Sequence, residues 1–153
     1  MGTIIGLNCK VFKRTAASSY ATPTFTAVDA VKDASFEISD NLVDASRRGG
    51  NGFRQHEATL RDITVTLSMV KDKDDAMLVE LLTAMKQKDA FELVIYDGDS
   101  ASGSEGLDAM FKFESFEEGQ ELEGVVMIEA TLKPTPDTDL NPTFISGTLP
   151  TSR

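Results

Sequence analysis

Few residues in this chain have the types and spacing that catalysis or metal binding requires. Asp97 and Asp99 are spaced like the first two ligands of a calcium loop, but the next positions of that pattern are not matched. His56 is the single histidine and Cys9 the single cysteine, so neither supplies a catalytic pair or a metal cluster. The carboxylates within residues 114–123 are typical of a solvated turn and strand face. The sequence therefore predicts no enzyme, no metal site and no cofactor.

A second candidate for function is a segment rich in arginine and glycine. Its Arg-Arg-Gly-Gly start resembles nucleic-acid-binding repeats, but a single copy in a chain of net charge −10 is weak support, because holding phosphates needs clustered cations. A connection of this length is usually functional, or disordered until a partner orders it. We expect it to contact a neighbouring subunit, with Phe53 as the apolar anchor. The segment consists of Arg47, Arg48, Gly49, Gly50, Asn51, Gly52, Phe53 and Arg54.

The elements around this segment predict one long β-hairpin over residues 34–70. In its return arm, apolar residues at 63, 65, 67 and 69 alternate with polar residues at 62, 64, 66 and 68. Because successive strand residues face opposite sides, the apolar set lines a core and the polar set a wetted face. The arginine-rich segment is then the connection between the two arms.

Downstream of the hairpin, apolar residues at helical spacing predict a helix over about residues 74–87. Strands are expected at 91–96 and 107–114, followed by a turn at 117–120. A last strand would have Leu122 at the start of its inner row. This order predicts a mainly β fold, a β-sandwich or barrel-like arrangement with one packed α-helix.

The length of 153 residues suits a single domain. We divide it into an N-terminal arm and loop (1–23), a β core (24–134) and an extended C-terminal tail (135–153). Within the first part, residues 3–12 are predicted to form either an arm or an edge strand. No apolar run approaches the ~18 residues of a membrane span, so no membrane partner is expected.

Charge is unevenly distributed along the chain. Residues 1–61 carry eight Lys/Arg and six Asp/Glu, whereas residues 62–153 carry seven and nineteen. This separation suits head-to-tail contact between copies, positive patch to negative patch. The alternative is an acidic surface that serves solubility alone.

Seven short segments, in their order and spacing over residues 24–135, resemble the major tail tube proteins of long-tailed bacteriophages. They are residues 31–38, 47–54, 59–65, 74–76, 91–98, 106–109 and 129–135. Phe53 stands where many members of that family carry tryptophan.

The resemblance implies hexameric rings that stack into a hollow tail tube of the virion, made in the host cytoplasm. The lumen would conduct genomic DNA and hold the tape-measure protein, and tail terminator and baseplate proteins would contact the tube ends. Related tubes occur in contractile tails, tailocins, gene transfer agents and the type VI secretion system.

In such a tube we expect the polar row of the long hairpin and of the last two strands to face the lumen, although alternation by itself allows either face of the sheet to turn inward. An acidic wall repels phosphate, so DNA would slide through it. The candidates are Glu37, Asp62, Thr64, Thr66, Glu114 and Glu129.

Two other classes of protein fit the same composition. A virion decoration or adhesion module would also be an acidic β-sandwich, but it should stay monomeric or form a small closed oligomer. A small hydrolase should show a concave pocket with converging polar groups.

Overall fold

The computed structural model describes residues 9–98 and 103–152, together with Thr3 and Gly6. Among these residues no helix combines the length and the apolar character needed to cross a membrane. The elements are β1 (Lys10–Arg14), β2 (Phe25–Ala27), β3 (Val31–Asp44), β4 (His56–Val70), α1 (Ala76–Gln87), β5 (Phe91–Tyr96), β6 (Glu105–Gly119), β7 (Met127–Pro134) and β8 (Thr143–Ser146).

The strands form one antiparallel sheet in the order β2–β1–β5–β6–β7–β4–β3, and β8 also pairs with β6. β6 changes neighbours along its length. Its first half pairs with β5 and β8, and its second half pairs with β7. A shift of register between Phe113 and Ser115 marks a bulge, which bends a strand and increases its twist. β6 is therefore the corner strand of the sheet.

One hydrophobic core gathers side chains from β1, β4, β5, β6, β7 and α1. On β4 the buried residues are those that alternation predicted, and Val65, Leu67 and Met69 are completely inaccessible to solvent. Leu78 and Leu81 of α1 pack onto them. The predicted mainly β fold, with one packed helix and one long hairpin, is confirmed.

Helix α1 begins two residues later than predicted. Asp75 has extended backbone angles and is the N-cap: its Oδ1 accepts hydrogen bonds from the backbone N–H groups of Met77 and Leu78, at 3.1 and 3.4 Å. Its Oδ2 accepts from the Ala30 N–H at 3.0 Å. The same side chain thus starts the helix and fixes the turn before β3.

β5 is buried on both faces, which the sequence did not predict. Phe91, Leu93 and Ile95 enter the main core, while Val94 and Tyr96 join Phe12 in a second cluster.

The C-terminal segment covers this second cluster with Ile145 and Leu149, and Tyr96 Oη donates a hydrogen bond to the Gly147 carbonyl at 2.8 Å. The region predicted as an extended tail therefore contains a strand, β8, and packs onto the sheet.

The N-terminal segment, predicted as an arm or edge strand, contains a strand that is not at the edge of the sheet. β1 lies between β2 and β5, and Val11 and Phe12 are buried on its opposite faces. The residues at 1, 2, 4, 5, 7 and 8 of that arm lie outside the described part of the chain.

The turn between β6 and β7 lies at residues 120–126, so the predicted turn at 117–120 is wrong. The bulge after Phe113 shifts the alternation and places Phe116 against the core, opposite Ala130, so β6 continues to Gly119. Leu122, predicted to start an inner row, is instead fully exposed in the turn. The sequence pattern missed this because it assumed uninterrupted alternation.

Candidate assembly surfaces

The outer half of the β3–β4 hairpin projects away from the core. β3 pairs with β4 as far as Asp44 and His56, whereas β7 pairs with β4 only over residues 65–70. Residues 39–44 and 56–62 are exposed throughout. The distance along β4 from residue 64 to residue 56 is roughly 26 Å at ~3.3 Å per residue. The hairpin therefore reaches well beyond the body of the subunit.

The loop at the end of the hairpin has a defined backbone. Its base is closed by a hydrogen bond from the Ala45 N–H to the Gln55 carbonyl, at 2.9 Å. A 3-10 turn covers Arg48–Gly50, and Asn51 and Gly52 follow with φ of 55° and 79°. This left-handed conformation is one that glycine and asparagine adopt at low cost. Asn51 and Gly52 thus serve the turn itself.

Large apolar side chains are exposed around this loop. Phe53 is 74% exposed and Leu60 79%, and Leu42 and Val43 are exposed beside them. Arg47, Arg48 and Arg54 are exposed as well. We call residues 42–60 the hairpin tip. Residues 45–55 of the tip hold these three arginines and no acidic residue, while Asp44 and Glu57 lie at its base. Exposed apolar side chains beside this basic loop indicate a protein-binding surface.

A polar face lies on the side of the sheet opposite the core. In the register of the strands, Glu37 lies opposite Thr64 and Ser68 lies opposite Glu129. Lys133 Nζ donates a hydrogen bond to Thr64 Oγ1 at 2.6 Å. The six residues predicted for a lumen lie on this face or, for Glu114, at the bulge beside it: Glu37, Asp62, Thr64, Thr66, Glu114 and Glu129.

The polar face belongs to a four-stranded part of the sheet with two open edges. Over the described residues, β3 pairs with β4 alone, so its other edge is unpaired. β5 pairs with residues 106–111 of β6, which leaves residues 112–119 unpaired on that side. The open edges bound the set β3–β4–β7–β6 on its two sides. Unpaired edges are templates for pairing with another chain.

The motifs that could have carried chemistry have structural roles or lie apart. Asp97 Oδ1 accepts the Glu105 N–H at 2.9 Å and closes the β5–β6 hairpin, while Asp99 lies outside the described residues. Cys9 is exposed, and its Sγ lies 3.5 Å from the Asp97 carbonyl oxygen. His56 is exposed at the base of the loop. Among the described residues, no three His, Cys, Asp or Glu side chains are grouped as metal ligands.

A cleft of about 580 Å³ lies beside α1, between the end of β4 and β6. Its lining includes Leu82, Met85 and Phe116. At its rim, Lys71 Nζ donates to Glu118 Oε1 at 2.6 Å. That hydrogen bond, followed by one from Gln120 Nε2 to Glu118 Oε2 at 2.7 Å, holds the pKa of Glu118 below its ordinary value. The ion pair joins the end of β4 to β6.

Two ion pairs at β1, formed by buried Lys13 and half-buried Arg14, were not singled out from the sequence. Lys13 Nζ donates to Glu80 Oε2 of α1 at 3.2 Å, and Arg14 Nη1 lies 3.6 Å from Glu92 Oε1 of β5. The sequence around Lys13 and Arg14 did not predict these ion pairs, because the partner residues are more than 60 positions away in the chain. They join β1 to the helix and to the sheet.

No family model and no curated protein sequence matches this chain. Solved structures do match it. The tail of an empty gene transfer agent particle, refined with C6 symmetry, is similar with a TM-score of 0.73 and 12% identity, over 94% of this chain and 100% of that chain. The SPP1 tail tube subunit is similar with a TM-score of 0.72 and 12% identity, over 97% of this chain and 82% of that one.

A chain from the baseplate of the anti-feeding prophage has a TM-score of 0.63 at 10% identity, over 97% of this chain and 99% of that chain. At these identities the likeness defines the fold. This chain has the fold of tail tube subunits. The fold resemblance predicted from the sequence is confirmed.

Proposed function

We propose that this protein is a structural subunit of a tail tube, which forms hexameric rings stacked into a hollow tube. The observation that carries the proposal is the two-faced four-stranded sheet with an open edge on each side. If β3 of one copy pairs with residues 112–119 of β6 in the next, the sheet continues from subunit to subunit. In a closed ring, both edges of every copy are paired, whereas an open array leaves an unpaired edge at each end.

The C6 symmetry of the similar gene transfer agent tail supports six copies per ring. Six copies of four strands make a barrel of about 24 strands. With strands ~4.8 Å apart and tilted by ~40°, such a barrel is about 48 Å across between backbones. Side chains that project inward from opposite sides of the barrel reduce this diameter to a lumen of roughly 35–40 Å, which is wider than a B-form DNA duplex.

The polar face lines the lumen in this arrangement. Over residues 63–70 of β4 and the paired parts of β6 and β7, the opposite face packs into the main core with α1 and β1, so that part of the sheet has no free surface on that side. Alternation alone left both orientations open, and the covering layer supports the inward one. Four of the six lumen candidates are carboxylates, namely Glu37, Asp62, Glu114 and Glu129. Such a wall repels DNA phosphates and favours sliding.

The role is structural and not catalytic. The partners that follow are further copies of the chain, the tape-measure protein and genomic DNA in the lumen, and terminator and baseplate proteins at the ends. The protein then resides in the virion tail after synthesis in the host cytoplasm. Similarity to a gene transfer agent and to the anti-feeding prophage supports a tube of a tailocin or of a gene transfer agent as well as it supports a phage tail tube. A decoration or adhesion module does not need two open sheet edges, because it does not extend its sheet from copy to copy.

Electron microscopy of the purified protein at high concentration tests the proposal. We expect hollow tubes with stacked rings. At low concentration, size-exclusion chromatography should show a monomer, which assembles into tubes when the concentration is raised. A protein that stays monomeric, or that stops at a small closed oligomer, would contradict tube formation and favour the decoration module.

A further inference from the structure

The hairpin tip and the β6–β7 turn lie at opposite ends of the same sheet. In the strand register, Val70 and Gly119 both lie opposite Met127, so the turn at 120–126 shares its end of the sheet with the end of β4. The Lys71 N–H donates to the Val126 carbonyl at 2.9 Å and holds the turn there. The tip lies at the other end of β4, roughly 46 Å away along the strand at ~3.3 Å per residue.

The turn exposes apolar side chains between carboxylates. Leu122 is 100% exposed and Val125 62%. Glu121 and Glu123 flank Leu122 and are exposed too. In the adjoining loop after β4, Lys73 is offset by Asp72 and Asp74. Exposure of Leu122 does not stabilise the isolated subunit. Covering Leu122 with a partner surface would stabilise the complex, because apolar area is then removed from water.

The hairpin tip has the complementary composition. Arg47, Arg48 and Arg54 carry positive charge, and Phe53 and Leu60 are its most exposed apolar side chains. Two different patches at opposite ends of one molecule make a head-to-tail contact, which repeats without closing and generates a stack. Opposite charges around an apolar centre set the register of such a contact.

We propose that the β6–β7 turn, residues 120–126, is the docking site for the hairpin tip of a second copy in the adjacent ring. Phe53 of the tip contacts Leu122 and Val125, while the tip arginines face Glu121 and Glu123. This inference rests on the proposed tube function. It names the surface that receives the tip, and it makes that contact the link between rings, separate from the strand pairing within a ring.

A charge-swap experiment tests the pairing. The tip variant Arg47→Glu/Arg48→Glu and the turn variant Glu121→Lys/Glu123→Lys should each slow tube growth by about tenfold or more, because like charges then meet. The chain that combines all four changes should regain growth to within a few-fold of wild type. All changed residues are exposed, so the thermal unfolding of the monomer should be unchanged. Growth is followed by light scattering at fixed ionic strength.

The control for net charge is Asp89→Lys/Glu105→Lys. Both residues are exposed, and they lie in neither surface. This variant changes the net charge as much as the turn variant does, and it should form tubes at the wild-type rate. A turn variant that grows normally would overturn the inference and leave the proposed function standing. A combined variant as slow as either double variant would overturn it too.

Disulfide trapping gives a second readout. In a Cys9→Ser background, Phe53→Cys with Leu122→Cys should form a ladder of reducible covalent oligomers when assembled tubes are oxidised. The control pair, Phe53→Cys with Phe144→Cys, uses a phenylalanine that is 60% exposed in β8 and should give no ladder. Wild-type tubes combined with no ladder from the first pair would refute the contact. Absence of tubes from wild-type protein would instead refute the proposed function.

Discussion

The Asp75 side chain connects two distant parts of the chain through three backbone hydrogen bonds. It caps α1 at Met77 and Leu78 and holds the Ala30 N–H before β3. The sequence predicts a capping aspartate near this position, but only the structure shows the bond to Ala30, since 45 residues separate the two. A local sequence pattern can predict a helix cap, but it cannot predict a hydrogen bond to a residue that is distant in sequence, such as Ala30.

We predict that Asp75→Ala lowers the free energy of unfolding by about 1–2 kcal/mol, because it removes the cap and leaves the Ala30 N–H unsatisfied. Urea unfolding of the monomer measures this. Asp74→Ala is the matched control: Asp74 is exposed and precedes the cap, so its removal should change stability little. Equal effects of the two substitutions would show that the capping geometry is not what stabilises the helix start.

The Lys71–Glu118 pair predicts a pH dependence. The hydrogen bond from Lys71, and then that from Gln120, lowers the pKa of Glu118 from its ordinary value of 4.5. A carboxyl group whose pKa is lower in the folded state stabilises the fold above its unfolded pKa, and this contribution is lost as pH falls through the folded pKa.

Glu118→Gln should therefore reduce stability above pH 4.5 and have no effect at pH values below the folded pKa. Chemical denaturation at a series of pH values measures the difference. Glu123→Gln, in the exposed turn nearby, should not change the shape of the curve. A constant difference between wild type and Glu118→Gln at every pH would mean that the pair does not titrate as described.

At the scale of elements, alternation predicted the β4 core residues well, because one face of residues 63–69 lies in the main core with α1 without interruption. It failed at β6, where the bulge after Phe113 shifts the faces, and no residue type announces a bulge there. β8 was missed because four residues with little alternation become a strand only by pairing with β6. Five of the six lumen candidates lie on one face because they belong to the polar row of β4 or are register partners of it, whereas Glu114 lies at the bulge of β6.

The arginine-rich loop is the element whose role can be tested by deletion. The Ala45–Gln55 hydrogen bond closes its base independently of the glycines, so removing residues 49–52 should leave a folded monomer. We expect that monomer to form no tubes, because the shortened loop no longer holds Phe53 and the arginines in position at the end of the hairpin. Circular dichroism and electron microscopy report the two results.

The matched control for this deletion is Gly49→Ala. No atom lies within 4 Å of a Cβ at this position, and Gly49 is not among the positive-φ glycines, so alanine should be tolerated. This variant should assemble normally. Tubes of normal length from the deletion would contradict a role for the loop in assembly.

At the scale of the whole molecule, the orientation of the sheet predicts which side chains become enclosed. In a Cys9→Ser background, Thr66→Cys should react with a maleimide coupled to a large protein when the subunit is monomeric, and should be protected in tubes. Val79→Cys on α1, 44% exposed on the opposite side of the sheet, should react in both states. Equal labelling of Thr66→Cys before and after assembly would contradict its position in the lumen.

In the proposed tube, the two-faced sheet closes into a ring with its polar face inward. A cryo-electron microscopy reconstruction of the assembled tube would show this arrangement. We expect six subunits per ring, with β3 of each subunit paired to residues 112–119 of β6 in its neighbour, and with Glu37, Thr66 and Glu129 facing the lumen. A reconstruction in which these side chains lie on the outside of the tube, or in which the two strand edges remain unpaired, would contradict it.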